Sequence, residues 1–189
     1  MSELVALADA IANAPSTTWV DKVSGLVDLD SFLVFYAMDA LLSNVDGINS
    51  SGNNYEIYGS TANSRLYFIL GGCDLTFGNW GAWYDLWAPW GPPTTWCPGY
   101  TDPFYKRAVT TPYLKGKLDT LLKALHSGAF GSATVLPVID GYKQLLKTDL
   151  YYDPKGIATQ AQINNDYSGL KAYINNRNGL LANLYGGCP

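Results

Sequence analysis

The stretch VDLDSFLVFYAMDALLSNVDGINSSGNNYEIY, residues 27–58, followed by RLYFILGGCDLTFG, residues 65–78, decides how this chain is read. Residues 29–43 place Leu29, Phe32, Leu33, Phe35, Tyr36, Ala40 and Leu41 on more than one side of a helix. That pattern predicts a helix buried at the centre of the fold. Asp28 or Asp30 supplies its cap, because a carboxylate accepts the orphan N–H groups of a first turn. Residues 44–53, NVDGINSSGN, are rich in Asn, Gly and Ser and predict a loop. The runs 55–58 and 65–70 then read as two strands around the turn 59–64, a β-hairpin.

Working outward, Leu4, Leu7, Ala8 and Ile11 recur at helical spacing over 3–13, and Pro15 ends that helix. Lys22 lies in a polar stretch and reads as a solvated surface charge. Residues 71–104 hold much Gly, Pro and Trp without a sustained period, which predicts a long ordered loop of the kind that usually serves function. Three helices follow. Thr111 caps the first, with Pro112 at its first position and Leu114, Leu118, Leu121, Leu122 and Leu125 as its stripe. The second covers about 132–147, with Val135, Leu136, Ile139, Tyr142, Leu145 and Leu146 inward. The third covers about 160–185, with Ile163, Tyr167, Leu170, Tyr173, Ile174, Leu180, Leu181 and Leu184 inward, and stops at Gly186-Gly187. The expected fold class is α+β, mostly helical, as one domain over 1–189 with a single small hairpin in its first half.

Composition narrows the function. Of 189 residues 48% are hydrophobic, 14% aromatic and only 15% charged, which excludes an intrinsically disordered chain. The net charge of −4 argues against a nucleic-acid partner. No run approaches 18 uncharged apolar residues, so no membrane span is expected, and residues 1–14 carry Glu3 and Asp9 with no basic run, unlike a signal peptide. Charge is divided along the chain: residues 1–102 hold eleven acids and two bases, whereas 103–189 hold ten bases and five acids. Five of the six Trp (Trp80, Trp83, Trp87, Trp90 and Trp96) fall within 17 residues. They read as packing of the long loop over the hairpin or, second, as a sugar-stacking platform. Cys73, Cys97 and Cys188 have no zinc spacing, and the single His126 completes no metal cluster. One disulfide, Cys97–Cys188, and three unpaired thiols are both open readings. His126 stands at a helix end and reads as a capping or surface residue. The few charges and many Tyr, Trp, Asn and Gly lean towards an extracellular setting.

The chemistry-bearing residues lie between 44 and 78. Asp46 sits in the loop after the buried helix, Asn53 and Asn54 just before the first strand, and Asp74 after the second. A hairpin returns the chain to its start, so these residues are expected together. Phosphoryl transfer by protein kinases uses an Asp that accepts the hydroxyl proton, an Asn a few residues on, and a further Asp at the metal bridging the phosphates. Oxygen ligands suit Mg2+. No GxxxxGK[ST] or GxGxxG phosphate loop occurs, and Asp-Gly or Asn-Asn in a loop also serve as plain turn residues.

On these residues the chain resembles the CotH kinase family, the spore-coat protein H group of atypical protein kinases. The resemblance covers residues 27–58 and 65–78 most clearly, with a fitting terminal segment at Tyr173, Ile174 and Arg177. It implies the C-terminal lobe of a kinase-like fold, with Asp46 as the catalytic-loop Asp. It further implies Asn54, or Asn53 as its close alternative, and Asp74 at the metal, with ATP and Mg2+ as cofactors and a protein hydroxyl as substrate. It also implies a spore-coat or cell-surface location. The family pattern has Trp where this chain has Val45, and an Asp where it has Gly72. It grips the nucleotide with an N-terminal Lys, for which this chain has no counterpart before Lys106 other than Lys22. The expectations are therefore a C-terminal kinase portion that partners an N-terminal lobe of the same protein, or a catalytically impaired pseudokinase acting as a structural or glycan-binding module. A kinase-like fold acting on small molecules is a third.

Overall fold

In the computed structural model the described residues are 2–44, 46–48, 52–77, 107, 110–152, 154–156 and 158–185. They form six α-helices, a two-stranded antiparallel sheet and one 3-10 turn. The chain divides into two units, Met1–Leu121 and Leu122–Pro189.

The first unit is built on α3, Leu29–Leu42, in which nine of fourteen residues are buried, as its apolar residues on several sides predict. Asp28 is its cap: the side chain accepts the Ser31 N–H at 3.0 Å, a contact worth about 1 kcal/mol. Strands β1, Tyr55–Gly59, and β2, Leu66–Leu70, pair with Tyr55 opposite Leu70 and Gly59 opposite Leu66. Aromatic side chains lay this hairpin on α3. Phe68 meets Phe32 edge-on with centroids 4.6 Å apart, lies 5.8 Å from Phe35, and stacks on Tyr55 at 5.6 Å. The backbone adds to this where the Leu66 N–H donates to the Leu26 carbonyl at 2.9 Å and the Asp28 N–H to the Leu66 carbonyl at 3.2 Å.

Helix α1, Ser2–Asn13, turns a different edge inward than expected. Leu7 and Ala10 are buried, whereas Leu4 and Ala8 are exposed. Trp19 begins α2, Trp19–Ser24, is 1% exposed, and donates its indole N–H to the Ile11 carbonyl at 3.1 Å. Lys22 is exposed, as expected. Helix α4, Pro112–Ser127, starts at the expected Pro112, and the Lys115 N–H bonds to the Thr111 carbonyl. Its residues to Leu121 belong to the first unit, where Leu114 and Leu118 are buried.

The second unit holds the end of α4 with α5, Ser132–Tyr151, and α6, Gln160–Tyr185. Here the inward assignments need correction. Ile139 is buried, but Tyr142, Leu145 and Leu146 are exposed, as is Leu184 on α6. Arg177 and Asn178 are buried instead. Asn178 donates to the carbonyls of Phe130 (3.0 Å) and Ile174 (2.9 Å). Its Oδ1 then faces Nδ1 of His126 at 3.0 Å, which makes that ring nitrogen the donor. His126 is thus half-buried and partnered by a side chain rather than a surface cap. No described helix is long and apolar enough to cross a membrane. The Trp-dense stretch, most of the long loop, Cys97, Cys188 and the Gly186-Gly187 stop lie outside the described residues.

Candidate functional site

The C-terminal end of α3 organises the site. Ser43 closes the helix in the left-handed region, φ 47°, and its N–H donates to the Ala40 carbonyl at 3.2 Å. The next N–H, of Asn44, donates to the Asp39 carbonyl at 3.2 Å, and the Gly47 N–H to the Asn44 carbonyl at 3.1 Å. Two successive turns therefore lift Asp46 out of the helix end. The chain after β2 returns to the same place: the Phe77 N–H donates to the Leu42 carbonyl at 2.8 Å. It satisfies a carbonyl that a helix end otherwise leaves to water.

Asp46 is half-buried, and the two Asn residues converge on it. Asn54 Nδ2 donates to Oδ2 of Asp46 at 2.8 Å, and Asn53 Nδ2 lies 3.4 Å from Oδ1. The first is a firm charge-assisted bond; the second is long and weak. Asn54 holds this pose from the left-handed region, φ 49°, which Asn tolerates better than most residues. Its Nδ2 also lies 3.4 Å from the Gly72 carbonyl, and its own carbonyl accepts the Gly71 N–H at 3.3 Å. The open end of the hairpin thus ties the Asp46 loop to the strand exit that carries Asp74.

Asp74 is exposed on the 3-10 turn Cys73–Leu75. Buried Thr76 closes that turn, its Oγ1 donating to the Cys73 carbonyl at 2.7 Å. Cys73 is a free, exposed thiol. Its pKa is raised, chiefly by partial burial and then by the negative charges of Asp39 and Asp74.

The structure therefore draws Asp46, Asn53 and Asn54 into direct hydrogen-bonding range and brings the Asp74 segment to the same helix end. No group of three or more His, Cys, Asp or Glu suited to a metal forms among the described residues. Magnesium does not require such a trio, since it is commonly held by one or two carboxylates, waters and substrate phosphates. Asp46 and Asp74 and the side-chain oxygens of Asn53 and Asn54 are hard donors of the right kind. The negative end of the α3 dipole further favours a cation here.

Sequence reasoning missed Asp39. It is 0% exposed, and its carboxylate lies where a Cβ on Gly47 would be. The available signal was a lone carboxylate in the body of an apolar helix, eight residues before a loop glycine. A concavity of about 490 Å³ lies at the other end of the hairpin among Asp21, Asp28, Asp30, Arg65, Tyr113 and Lys117. Within it Arg65 pairs with Asp28 at 3.6 Å and Lys117 with Asp30, and it holds none of Asp46, Asn53, Asn54 and Asp74.

A family model described as CotH kinase protein matches residues 1–181, which takes in the whole hairpin site and all but the end of α6. The chain belongs to the CotH kinase family, a group of atypical kinase-like proteins. No curated protein matches it.

Proposed function

We propose that this chain is the metal- and substrate-facing part of an atypical protein kinase, transferring the γ-phosphoryl group of ATP to a protein hydroxyl. The single observation that carries the reading is the convergence of Asn53 and Asn54 on Asp46 beside the Asp74 turn. Asp46 is the base that accepts the hydroxyl proton. Its hydrogen bond from Asn54 orients the carboxylate through Oδ2. Asn54, with Asn53, and Asp74 would hold Mg2+, which when bound would supply charge neutralisation for the phosphates. The family match runs across both units, which supports treating 1–189 as one kinase-like domain. The family's spore-coat association supports a coat or cell-surface, extracellular location.

One observation favours a second reading, a pseudokinase serving as a coat or glycan-binding module. Gly72 stands where the family carries an Asp, and it adopts φ +55°. A Cβ there would lie 2.6 Å from Cγ of Asn54. The space that a carboxylate side chain would need there is taken by Asn54.

The deciding experiment is Mg2+-dependent incorporation of γ-phosphate from ATP by the protein in its full natural reading frame. Wild type is expected to incorporate phosphate, and Asp46→Ala and Asp74→Ala to lose at least a hundredfold in rate. No incorporation by wild type favours the second reading. Equal incorporation by all three removes the site assignment.

A further inference from the structure

We infer that Asp39 is a positioning residue that holds the loop carrying Asp46 from beneath. It rests on the reading above only for its catalytic consequence. A fully buried carboxylate is costly, and proteins keep one where surrounding dipoles or charges offset it. Asp39 is 0% exposed within a helix whose other buried positions are apolar or aromatic. The group pressed against it is the loop backbone at Gly47. A Cβ built there overlaps Oδ1 of Asp39 and comes within 2.7 Å of Cγ and Oδ2. Glycine at 47 is thus required by space: the carboxylate fills the room a side chain would take. Main-chain bonds run in the same direction. Asn44 N–H donates to the Asp39 carbonyl, Gly47 N–H to Asn44, and Gly52 N–H to Gly47 at 3.0 Å. Asp39 therefore meets the loop twice, by a main-chain hydrogen bond at Asn44 and by packing of its side chain against the backbone at Gly47, on either side of Asp46. One buried carboxylate in this way sits under the loop that carries Asp46 without being exposed to substrate.

The experiment compares Asp39→Asn, Asp39→Ala, Gly47→Ala and Asp39→Ala/Gly47→Ala by amide hydrogen exchange and by phosphate-transfer kinetics. Asp39→Ala is expected to speed exchange of the Gly47 and Gly52 amides at least tenfold while amides of α1 and α2 keep their rates, and the isosteric Asp39→Asn to change them far less. Gly47→Ala is expected to act as Asp39→Ala does. In the double variant the added methyl finds the space vacated by the carboxylate, so the Gly47→Ala effect is expected to shrink several-fold. In kinetics, Asp39→Ala is expected to lower kcat at least tenfold with KM for ATP within twofold, the split a displaced base produces. Unchanged exchange at Gly47 and Gly52, equal acceleration of all amides, or additive effects in the double variant overturns the inference. If wild type transfers no phosphate, the functional reading fails while the exchange and coupling measurements still decide the role of Asp39.

Discussion

Helices α3 and α5 are both rich in apolar side chains, and the protein uses them in opposite ways. Of the fourteen residues of α3 nine are buried, and its ends carry a side-chain cap and the site. Of the twenty residues of α5 only Ile139 is buried, and Val138, Tyr142 and Leu145 stand at 53%, 58% and 73% exposure. The difference lies in what wraps each helix. The aromatic hairpin lies along α3, with Phe68 meeting both Phe32 and Phe35. Within its own unit α5 packs along α6, with Lys171 on α6 paired to Asp140 at 2.8 Å. Apolar content alone therefore does not say which helix is central; the partners available to each face do.

That contrast is broken most directly at Leu41, which is 0% exposed near the C-terminal end of α3. Leu41→Ala is expected to cost about 2–5 kcal/mol, through lost burial and the cavity left behind. Urea unfolding of the purified chain measures it. A loss under about 1 kcal/mol would mean that the end of α3 collapses easily around a void, and that the site it supports is not rigid.

Next in size is Gly72→Ala, which probes the site rather than the core. The residue sits at φ +55° and the new methyl meets Asn54, so the variant is expected to lose about 1–3 kcal/mol. It is also expected to displace the Asn54 amide from Asp46, which side-chain amide NMR shifts would report. A cost within 0.5 kcal/mol would mean that Asn54 yields readily, and that this position has room for the carboxylate found there in the family.

Much of the first unit was legible in the sequence because each signal was local. Asp28 caps three residues from the N–H it binds, and the hairpin is defined by two short runs and their turn. The grouping of Asp46, Asn53 and Asn54 followed from chain return alone. What was not legible depended on neighbours distant in sequence or on backbone conformation. The outward turn of Tyr142, Leu145 and Leu146 follows from which face of α5 meets α6, and a one-dimensional pattern does not contain that choice. The burial of Arg177 and Asn178 likewise hid behind their polarity. Asn178 is buried because two carbonyls and His126 satisfy it, and the Arg177 Nε–H donates to the Tyr173 hydroxyl at 2.9 Å. The left-handed conformations of Asn54 and Gly72, which decide how the site is filled, leave no periodic trace.

A smaller effect is expected at Cys73. Its thiol pKa is raised first by partial burial and then by Asp39 and Asp74, so at a given pH less thiolate is present than for an ordinary exposed cysteine. Asp39→Asn removes one of the two negative charges, lowers that pKa, and is expected to raise the rate of alkylation by iodoacetamide at pH 8 about two- to threefold. Peptide mass analysis separates Cys73 from Cys97 and Cys188. Because the thiolate is the reactive form, the ratio of the two rates should fall towards one as pH rises past both pKa values. A ratio that stays constant with pH would mean that Asp39 acts on Cys73 through altered access and not through charge.

The smallest expected effect tests the other side of the comparison. Leu145 is 73% exposed, so Leu145→Ser removes little apolar surface from a buried place. Surface substitutions of this kind change stability by about 0.5 kcal/mol or less. Two small terms oppose one another here. Serine is a poorer helix former than leucine by a few tenths of a kcal/mol, while removing an exposed leucine lessens the tendency of the chain to associate. Urea unfolding at two protein concentrations separates them, since only association depends on concentration. A loss above about 1.5 kcal/mol at both concentrations would show that Leu145 is buried in solution, and that α5 has a covered face as α3 does.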